Sequence, residues 1–270
     1  MNKNLILTLM LSAFIGCGNH DSDNKITTGT VQLEVTDAPF PFEAISQANI
    51  VVSEIAVIGS GDAISVVDSQ TRIYDLVQLQ HGQTAIMTSV ALQPGDYQEF
   101  RIKIDEATVT LTDGRSFPLK VPSGSSSGLK VKLAEPLTII AGLSERLVFD
   151  FDLSQSFKPI PASAKKAEDI TSFQFHPVVR SAVVSDSGEI AGQVLLLEDS
   201  SPVADATVTL TNLAGNFTQT ATTQTDGSFV FAFLPADTYV VTVETLDGLT
   251  TSSTLLVVTV GNRTAIVLNL

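Results

Sequence analysis

The sequence predicts an all-β protein with two tandem β-sandwich domains behind an N-terminal signal peptide. Two observations carry this prediction: apolar and polar residues mostly alternate along the chain, and turn sequences such as Asp226-Gly227 interrupt the alternation at short intervals. Alternation with a period of two is the pattern of half-buried antiparallel strands. Helical periodicity is nearly absent, with one short candidate at 161–170 and one segment, 76–91, that fits either a strand or a short helix.

The individual strands are recognised by their alternating faces. In the segment TVQLEV, Val31, Leu33 and Val35 share one face, and the polar residues share the other. The abundance of threonine and valine also favours strands over helices. The same alternation marks three further segments, FRIKI at 100–104, LKVKL at 129–133 and ATVTLT at 206–211.

The first residues have the pattern of a secretory signal peptide, which we place at 1–16. Lys3 is the only charged residue before the apolar run from Leu5 to Gly16. This run is shorter than the roughly 20 residues that a membrane-spanning helix needs, and no A-x-A-like cleavage site follows it. No later apolar stretch is long enough to span a membrane.

Cys17 is the only cysteine of the chain, and it lies between the apolar run and a polar segment. The sequence FIGC resembles the bacterial lipobox, a Leu-small-small-Cys pattern; Gly16 fits it, whereas Phe14 and Ile15 are bulkier than usual. The resemblance implies that Cys17 is lipidated and becomes the first residue of the mature protein. Several acyl chains, each contributing roughly 0.8 kcal/mol per buried methylene, would anchor the protein stably. The alternative is a spare thiol beside an ordinary signal peptide.

Residues 17–28 are polar and lack aromatic side chains, which predicts a flexible tether. Gly18 does not resemble a signal for retention in the inner membrane. These features predict a lipoprotein of the bacterial cell envelope that is anchored to the outer membrane. Because an acylated Cys17 leaves no thiol for a disulfide, the hydrophobic cores alone must stabilise the domains.

Charge divides the chain into two parts and restricts its partners. The net charge is −14 and the isoelectric point is near 4.4, which argues against binding to nucleic acid or, through charge, to anionic lipid. Residues 29–180 hold 12 basic and 18 acidic residues, whereas residues 188–270 hold one basic and eight acidic residues. This asymmetry predicts two domains joined by a linker at 181–187.

A short phrase recurs on both sides of this boundary. LQPGDY begins at Leu92 and LPADTY begins at Leu234, and each is followed by an alternating strand. Because proline fixes its own φ angle, both phrases predict a turn that feeds a strand, with Tyr97 or Tyr239 pinning its start. We interpret the two phrases as the same kind of turn, used once in each domain.

The second half carries the motifs GEIAGQV at 188, PVADATVTLT at 202, TQTDGSFVFAFLPADTYVVTVE at 223 and a closing TAIVLNL. In these motifs, residues 188–270 resemble a carboxypeptidase regulatory-like domain. Asp237 or Thr238 stands where that family commonly has glycine. The resemblance implies a small prealbumin-like β-sandwich without hydrolytic activity of its own.

The first half carries the segments GTVQLEVTDAPFPFEAI at 29, LQPGDYQEFRIKI at 92, LVFDFDLSQSF at 147 and FHPVVR at 175. In these segments, residues 29–180 are similar to a family of bacterial envelope lipoproteins known only as a domain of unknown function. The resemblance implies an extracytoplasmic Ig-like β-sandwich that is often followed by a regulatory-like module. It implies no particular activity.

Three aspartates are the candidate metal-binding or acid–base residues. Asp150 and Asp152 in FDFD lie on one face of a predicted strand, with the intervening phenylalanines on the other. Two carboxylates could form an acid–base pair or contribute to a Ca²⁺ site, but Ca²⁺ takes about six to eight oxygens, and Asp37 joins them only if the fold brings it close. We favour the simpler interpretation, a pair of solvated or turn-capping aspartates, and expect no metal site.

The rest of the sequence does not indicate catalysis. The three histidines are scattered, and no G-x-S-x-G motif is present. Phe229, Phe231 and Phe233 alternate along one strand, which predicts a core position rather than a sugar-binding platform. We therefore expect no catalytic residue and no cofactor, and a non-catalytic binding or structural module that engages a protein partner through sheet edges or loop ends. A carbohydrate-binding module at the cell surface is the alternative.

Overall fold

A computed structural model of the chain describes residues 27–38, 44–59, 63–121, 128–164 and 166–270. The predicted signal peptide, Cys17 and the tether up to residue 26 lie outside the described residues. In the part that the structure describes, no helix is long and apolar enough to cross a membrane.

The first domain is built from two main sheets. Its strands are β1 (Gly29–Ala38), β2 (Ile45–Gly59), β3 (Ile64–Asp68), β4 (Arg72–Asp75), β5 (Ala85–Leu92), β6 (Gly95–Leu111), β7 (Ser116–Leu119), β8 (Leu129–Ile139), β9 (Ser144–Asp152), β10 (Phe157–Ile160), β11 (Ser172–Phe175) and β12 (Val179–Val183). One sheet has the order β12-β9-β1-β5, and the other has the order β3-β2-β6-β7, with β4 paired to β2 and β8 to β6. A four-residue helix, α1 (Leu153–Ser156), follows β9, and β10 pairs with β11.

The apolar faces of the two sheets pack against each other. Phe100 of β6 and Phe149 of β9 meet edge to face with ring centroids 5.6 Å apart, and both are fully buried. Phe151, two residues further along β9, lies in the same core. Alternation in the sequence therefore corresponds to a buried and an outer face in β6, whereas β9 is buried on both faces from Leu147 to Asp152.

The second domain is a smaller sandwich with its own core. Its strands are β13 (Ser187–Leu195), β14 (Thr207–Asn212), β15 (Thr218–Thr222), β16 (Ser228–Pro235), β17 (Asp237–Glu244), β18 (Thr250–Ser252), β19 (Leu256–Val258) and β20 (Arg263–Asn269). One sheet has the order β16-β13-β20, and the other has the order β15-β14-β17-β18, with β19 also paired to β17. Phe229, Phe231 and Tyr239 are among the buried core residues. The prediction of an all-β chain of β-sandwich domains is confirmed.

The two tyrosines of the repeated phrase make the same contact. The Tyr97 hydroxyl donates to the Gln93 carbonyl at 3.0 Å, and the Tyr239 hydroxyl donates to the Pro235 carbonyl at 2.9 Å. In each domain, the tyrosine thus closes a turn of four residues at the start of a strand.

Three segments differ from their simplest sequence interpretation. The segment 76–91 contains both predicted alternatives, a 3₁₀ turn at Leu76–Leu79 and then most of β5. Among its described residues, the segment 161–170 contains a single 3₁₀ turn, Ala167–Asp169. The predicted linker 181–187 contains the end of β12, a 3₁₀ turn and the first residue of β13, because its apolar residues continue the pairing of β12 with β9.

Candidate functional site

The parallel pairing of β1 and β9 brings the three candidate aspartates to one end of the first domain. Thr36 pairs with Asp150, and Asp37 pairs with Phe151. Asp37 therefore lies beside the one residue of β9 that separates Asp150 from Asp152. The fold therefore brings Asp37 close to Asp150 and Asp152, which the sequence alone left open. All three carboxylates are buried. Of the two alternatives given for Asp150 and Asp152, solvated or turn-capping, solvation is therefore wrong for both, and Asp150 instead contacts Gln219 of the second domain.

Asp37 is the most deeply buried of the three. Its Oδ1 accepts a hydrogen bond from the Leu153 N–H at 3.0 Å. Burial raises the pKa of Asp37 well above its ordinary value, the negative charges of Asp150 and Asp152 raise this pKa further, and the Leu153 hydrogen bond lowers it only in part. A proton is therefore held more tightly here than on a solvated aspartate.

Asp152 caps the short helix α1. Its Oδ1 accepts from the Gln155 N–H at 3.0 Å and from the Ser154 hydroxyl at 2.5 Å, while its Oδ2 accepts from the Gln155 side-chain amide at 2.8 Å. Arg180 also donates to Oδ2 at 3.2 Å. The turn-capping role that we favoured from the sequence is thus the one that Asp152 has.

Asp150 connects the two domains. It lies opposite Arg180 in the antiparallel pairing of β9 and β12, with 3.8 Å between its Oδ2 and the Arg180 Nε. The same Oδ2 accepts a hydrogen bond at 3.0 Å from the side-chain amide of Gln219, which belongs to β15 of the second domain.

Arg180 is the central cation of this cluster. Besides its two aspartate partners, its guanidinium donates to the Thr218 carbonyl at 3.1 Å and lies over the Phe217 ring, 5.1 Å from the centroid. Arg180 therefore contacts the first domain through charge and the second domain through a carbonyl and an aromatic ring. Arg180 was not among the residues predicted from the sequence, although its position at the end of FHPVVR, directly before the charge boundary, was a usable signal.

The cluster does not have the form of a metal centre. In the described residues, no group of three or more His, Cys, Asp or Glu side chains is arranged to hold a metal ion. Its carboxylates instead accept hydrogen bonds from protein amides, hydroxyls and a guanidinium. The arrangement can fix the relative position of two domains and cap a helix.

A cleft of about 450 Å³ opens beside the cluster, between the two domains. We call it the interdomain cleft. The first domain contributes β8 and β12 to its walls, and the second domain contributes β15 and the end of β16. Its main lining residues are Lys132, Leu133, Glu135, Val179, Arg180, Ser181, Val183, Asp186, Phe217, Gln219, Phe233 and Pro235.

Phe233 lines this cleft and is not part of the core, which corrects the prediction from alternation. A β-bulge in β16 sets two residues against one in β13, between the pairs Ile190–Phe231 and Gly188–Leu234. The extra residue shifts the phase, so that Leu234 takes the next core position. Phe233 itself has a φ of 56°, in the left-handed region. The adjacent apolar pair Phe233-Leu234 was the sequence signal for this break.

Comparison with known proteins identifies both halves of the chain. Residues 28–177 match the model of the domain of unknown function DUF4382, and residues 189–270 match that of the carboxypeptidase regulatory-like domain. The predicted arrangement of these two domains is confirmed. A search of curated proteins gives no match.

Solved structures with similarity to the chain include a protein of Bacillus anthracis and two pilins. The TIE protein of Bacillus anthracis is 11% identical with a TM-score of 0.27, and the match covers 89% of this chain and 40% of that one. This chain therefore spans less than half the length of that protein. BcpA, the major pilin subunit of Bacillus cereus, is 9% identical with a TM-score of 0.26, covering 89% and 69%. The shaft pilin SpaA of Lactobacillus rhamnosus GG is 12% identical with a TM-score of 0.26, covering 90% and 98%.

The family match to DUF4382 covers more than half of the 270 residues, and it includes the strands that carry Asp37, Asp150 and Asp152. The carboxypeptidase regulatory-like match covers the strands that carry Phe217, Gln219 and Phe233. The chain belongs to the DUF4382 family, with a carboxypeptidase regulatory-like domain following the family domain.

Proposed function

We propose that this chain is a lipid-anchored protein of the bacterial cell envelope, held at the outer membrane through Cys17, and that its two domains act as a non-catalytic binding or structural module. The observation that carries the proposal is the polar cluster at the domain boundary. Asp150 and Arg180 of the first domain bind Gln219 and Thr218 of the second. Charged groups of the kind that a catalytic site would present to a substrate are used here to hold two domains together.

The interdomain cleft supports a binding role in addition to a structural one. Binding sites are commonly clefts of about 300–1,000 Å³ with mostly apolar walls and a few polar groups. The cleft, at about 450 Å³, has this size and this kind of lining. Because its walls come from both domains, fixing the domains relative to each other also preserves the shape of the cleft.

The N-terminal sequence supports the anchor. An apolar run that ends at a single cysteine and is followed by a polar segment is the arrangement that lipid attachment requires. In this proposal, the tether at 17–28 separates the membrane from β1, which begins at Gly29.

Carbohydrate binding is the second candidate function, because Phe217 and Phe233 bring two aromatic rings to one cleft. However, the Phe217 ring already lies under the Arg180 guanidinium, and its centroid is 5.9 Å from that of Tyr239 in an edge-to-face contact. Less of its surface is then left for stacking on a sugar. A protein partner is therefore the better supported candidate.

Labelling and crosslinking in the native envelope test the proposal. Cells that express the wild type or Cys17→Ala are fed a labelled fatty acid, treated with an amine-reactive crosslinker and analysed by mass spectrometry. We expect label in the wild type alone, and crosslinks to an envelope protein from Lys132, which is exposed at the cleft.

The matched control is Phe14→Leu, which keeps the cysteine and brings FIGC closer to the lipobox pattern. It should be labelled at least as well as the wild type. Equal labelling of Cys17→Ala would exclude the anchor. Crosslinks that avoid the cleft, together with binding of the purified protein to a glycan array, would favour the carbohydrate-binding function instead.

A further inference from the structure

The strand β12 is the outermost strand of its sheet, and part of its main chain is directed away from that sheet. The Asp152 N–H donates to the Val178 carbonyl at 3.0 Å, which makes positions 152 and 178 a hydrogen-bonded pair. Such pairs alternate along an antiparallel ladder. The main-chain groups of Ser181, and of its neighbours at positions 179 and 183, therefore point away from β9.

These outward groups open into the interdomain cleft. Ser181 and both neighbours line it. Among the described residues, the outward N–H and C=O groups of Val179 and Ser181 have no main-chain partner, whereas the outward C=O of Val183 starts the 3₁₀ turn Val184–Asp186 and only its N–H stays open. Unpaired main-chain groups on an edge strand are a template for a further strand. What distinguishes β12 from an ordinary solvated edge is that its edge lies inside a cleft with apolar walls.

The opposite wall of the cleft is a bulge in β8. Between the pairs Tyr97–Leu137 and Glu99–Lys132, four residues of β8, at 133–136, oppose a single residue of β6. The bulge moves Leu133 and the residues after it out of the ladder and toward the cleft. The two facing walls, β12 and the bulge of β8, therefore both contain main-chain groups that are not paired with a neighbouring strand.

The second domain closes the cleft with two aromatic rings. Phe217 is fixed by its contacts with Arg180 and Tyr239. Phe233 is placed there by a left-handed backbone conformation that is costly for a bulky residue. Such cost is concentrated at functional sites, because it persists only where the surrounding structure enforces it.

The charges around the cleft select against a strongly charged ligand. Lys132 and Arg180 carry positive charge, and Glu135, Asp150 and Asp186 are acidic, with Asp150 facing Arg180, so neither sign dominates the lining. The ligand that complements these features has main-chain donors and acceptors at strand spacing, and apolar side chains at alternate positions.

We propose that the interdomain cleft binds an extended, largely uncharged polypeptide segment of a partner protein, which pairs with the outward edge of β12 and places apolar side chains against Phe217 and Phe233. In this binding mode, main-chain hydrogen bonds supply affinity and side-chain pockets supply specificity. The proposal rests on the binding function proposed above and names the chemical class of its partner.

Selection from a peptide library tests this proposal. The purified protein is used to select binders from a phage-displayed library of random decapeptides, and the enriched peptides are synthesised and titrated against variants. Ser181→Pro removes the outward N–H but no bond to β9, because edge strands tolerate proline where the N–H faces away from the sheet. Ser181→Ala keeps that N–H and is the matched control.

We expect enriched sequences with apolar residues at alternate positions. These peptides should bind Ser181→Ala like the wild type and Ser181→Pro about tenfold more weakly. The weaker binding is expected because the proline variant loses one main-chain hydrogen bond and misaligns the adjacent ones. On the wild type, bound peptide should slow amide hydrogen exchange at Ser181 and at position 183. Amides 180 and 182, which already face β9, should change little. This second measurement does not depend on how the proline variant folds.

Failure to enrich any peptide, equal binding to Ser181→Pro by a folded variant, or unchanged exchange at Ser181 would each overturn the proposal. The proposed function would survive these results if Lys132 still forms crosslinks to an envelope partner in cells. Loss of both the crosslinks and the peptide binding would remove the binding function itself.

Discussion

Tyr97 and Tyr239 occupy equivalent turns, but their surroundings differ. The Tyr239 side chain is buried and packs edge to face on Phe217, whereas the hydrogen bond of Tyr97 to Gln93 is exposed to solvent. A hydrogen bond withdrawn from water costs more to lose, because the acceptor that remains is not rehydrated. The common sequence phrase therefore gives the same geometry and unequal contributions to stability.

We predict that Tyr239→Phe lowers the free energy of unfolding by about 1 kcal/mol, because the Pro235 carbonyl loses its donor in a partly buried position. Tyr97→Phe should lower it by less than half as much. Urea unfolding of both variants, followed by far-UV circular dichroism, measures the difference. Equal effects of the two substitutions would show that burial does not separate the two turns.

Single residues also show which structural features could be predicted from the sequence and which could not. The turn of Tyr239 and the cap formed by Asp152 could be predicted, because both depend on contacts within four residues along the chain. The position of Phe233 could not, because it depends on a bulge whose partner strand, β13, lies about 40 residues away in sequence. Arg180 was missed because its partners belong to two separate segments, 150–152 and 217–218, one in each domain.

The decisive pairing among the elements is the parallel contact of β1 and β9. The alternation of each strand shows which residues share a face, but it does not show which strands are neighbours. This is why the sequence did not show that Asp37 lies near Asp150 and Asp152. The burial of Asp150 was not foreseen because it depends on Gln219 of the second domain. The same limit applies to the predicted linker at 181–187, whose first residues pair with β9.

The burial of Asp37 at the end of β1 makes the free energy of unfolding depend on pH. Its pKa is raised in the folded protein, so the unfolded chain loses this proton first as the pH rises above about 3.8. The stability that the proton supplies is present below that pH and is lost as the pH rises toward the folded-state pKa. Asp37→Asn should therefore gain stability relative to the wild type as the pH increases, measured by urea unfolding at a series of pH values.

Glu34→Gln is the contrasting control. Burial alone would raise the pKa of Glu34, but hydrogen bonds from Arg146, Thr84 and Gln32 outweigh it, and the pKa is lowered. The ionised Glu34 therefore stabilises the fold above the ordinary pKa of 4.5, and this contribution is lost as the pH falls through the folded-state value. The two variants should deviate from the wild type in opposite directions at neutral pH; deviations of the same sign would contradict the assignment for Asp37.

At the scale of the whole molecule, two sandwiches with separate cores are joined by a small polar interface. Such interfaces within a chain permit relative motion unless specific contacts oppose it. Arg180 supplies two of these contacts, to the Thr218 carbonyl and to the Phe217 ring, and its charge pairs with Asp150 and Asp152 of its own domain. The shape of the interdomain cleft, and with it the proposed binding, therefore depends on this side chain.

We predict that Arg180→Met loosens the two domains without unfolding either. Methionine keeps much of the aliphatic contact but loses the hydrogen bond and the ring contact, which together stabilise the interface by about 2 kcal/mol, or about 30-fold in the population of the closed arrangement. Small-angle X-ray scattering should show a larger radius of gyration than for the wild type. Arg146→Met is the matched control, because Arg146 lies in the same sheet and pairs with Glu34 inside the first domain. That variant should lose stability at an unchanged radius of gyration, whereas an unchanged radius in Arg180→Met would mean that the interface is held by other contacts.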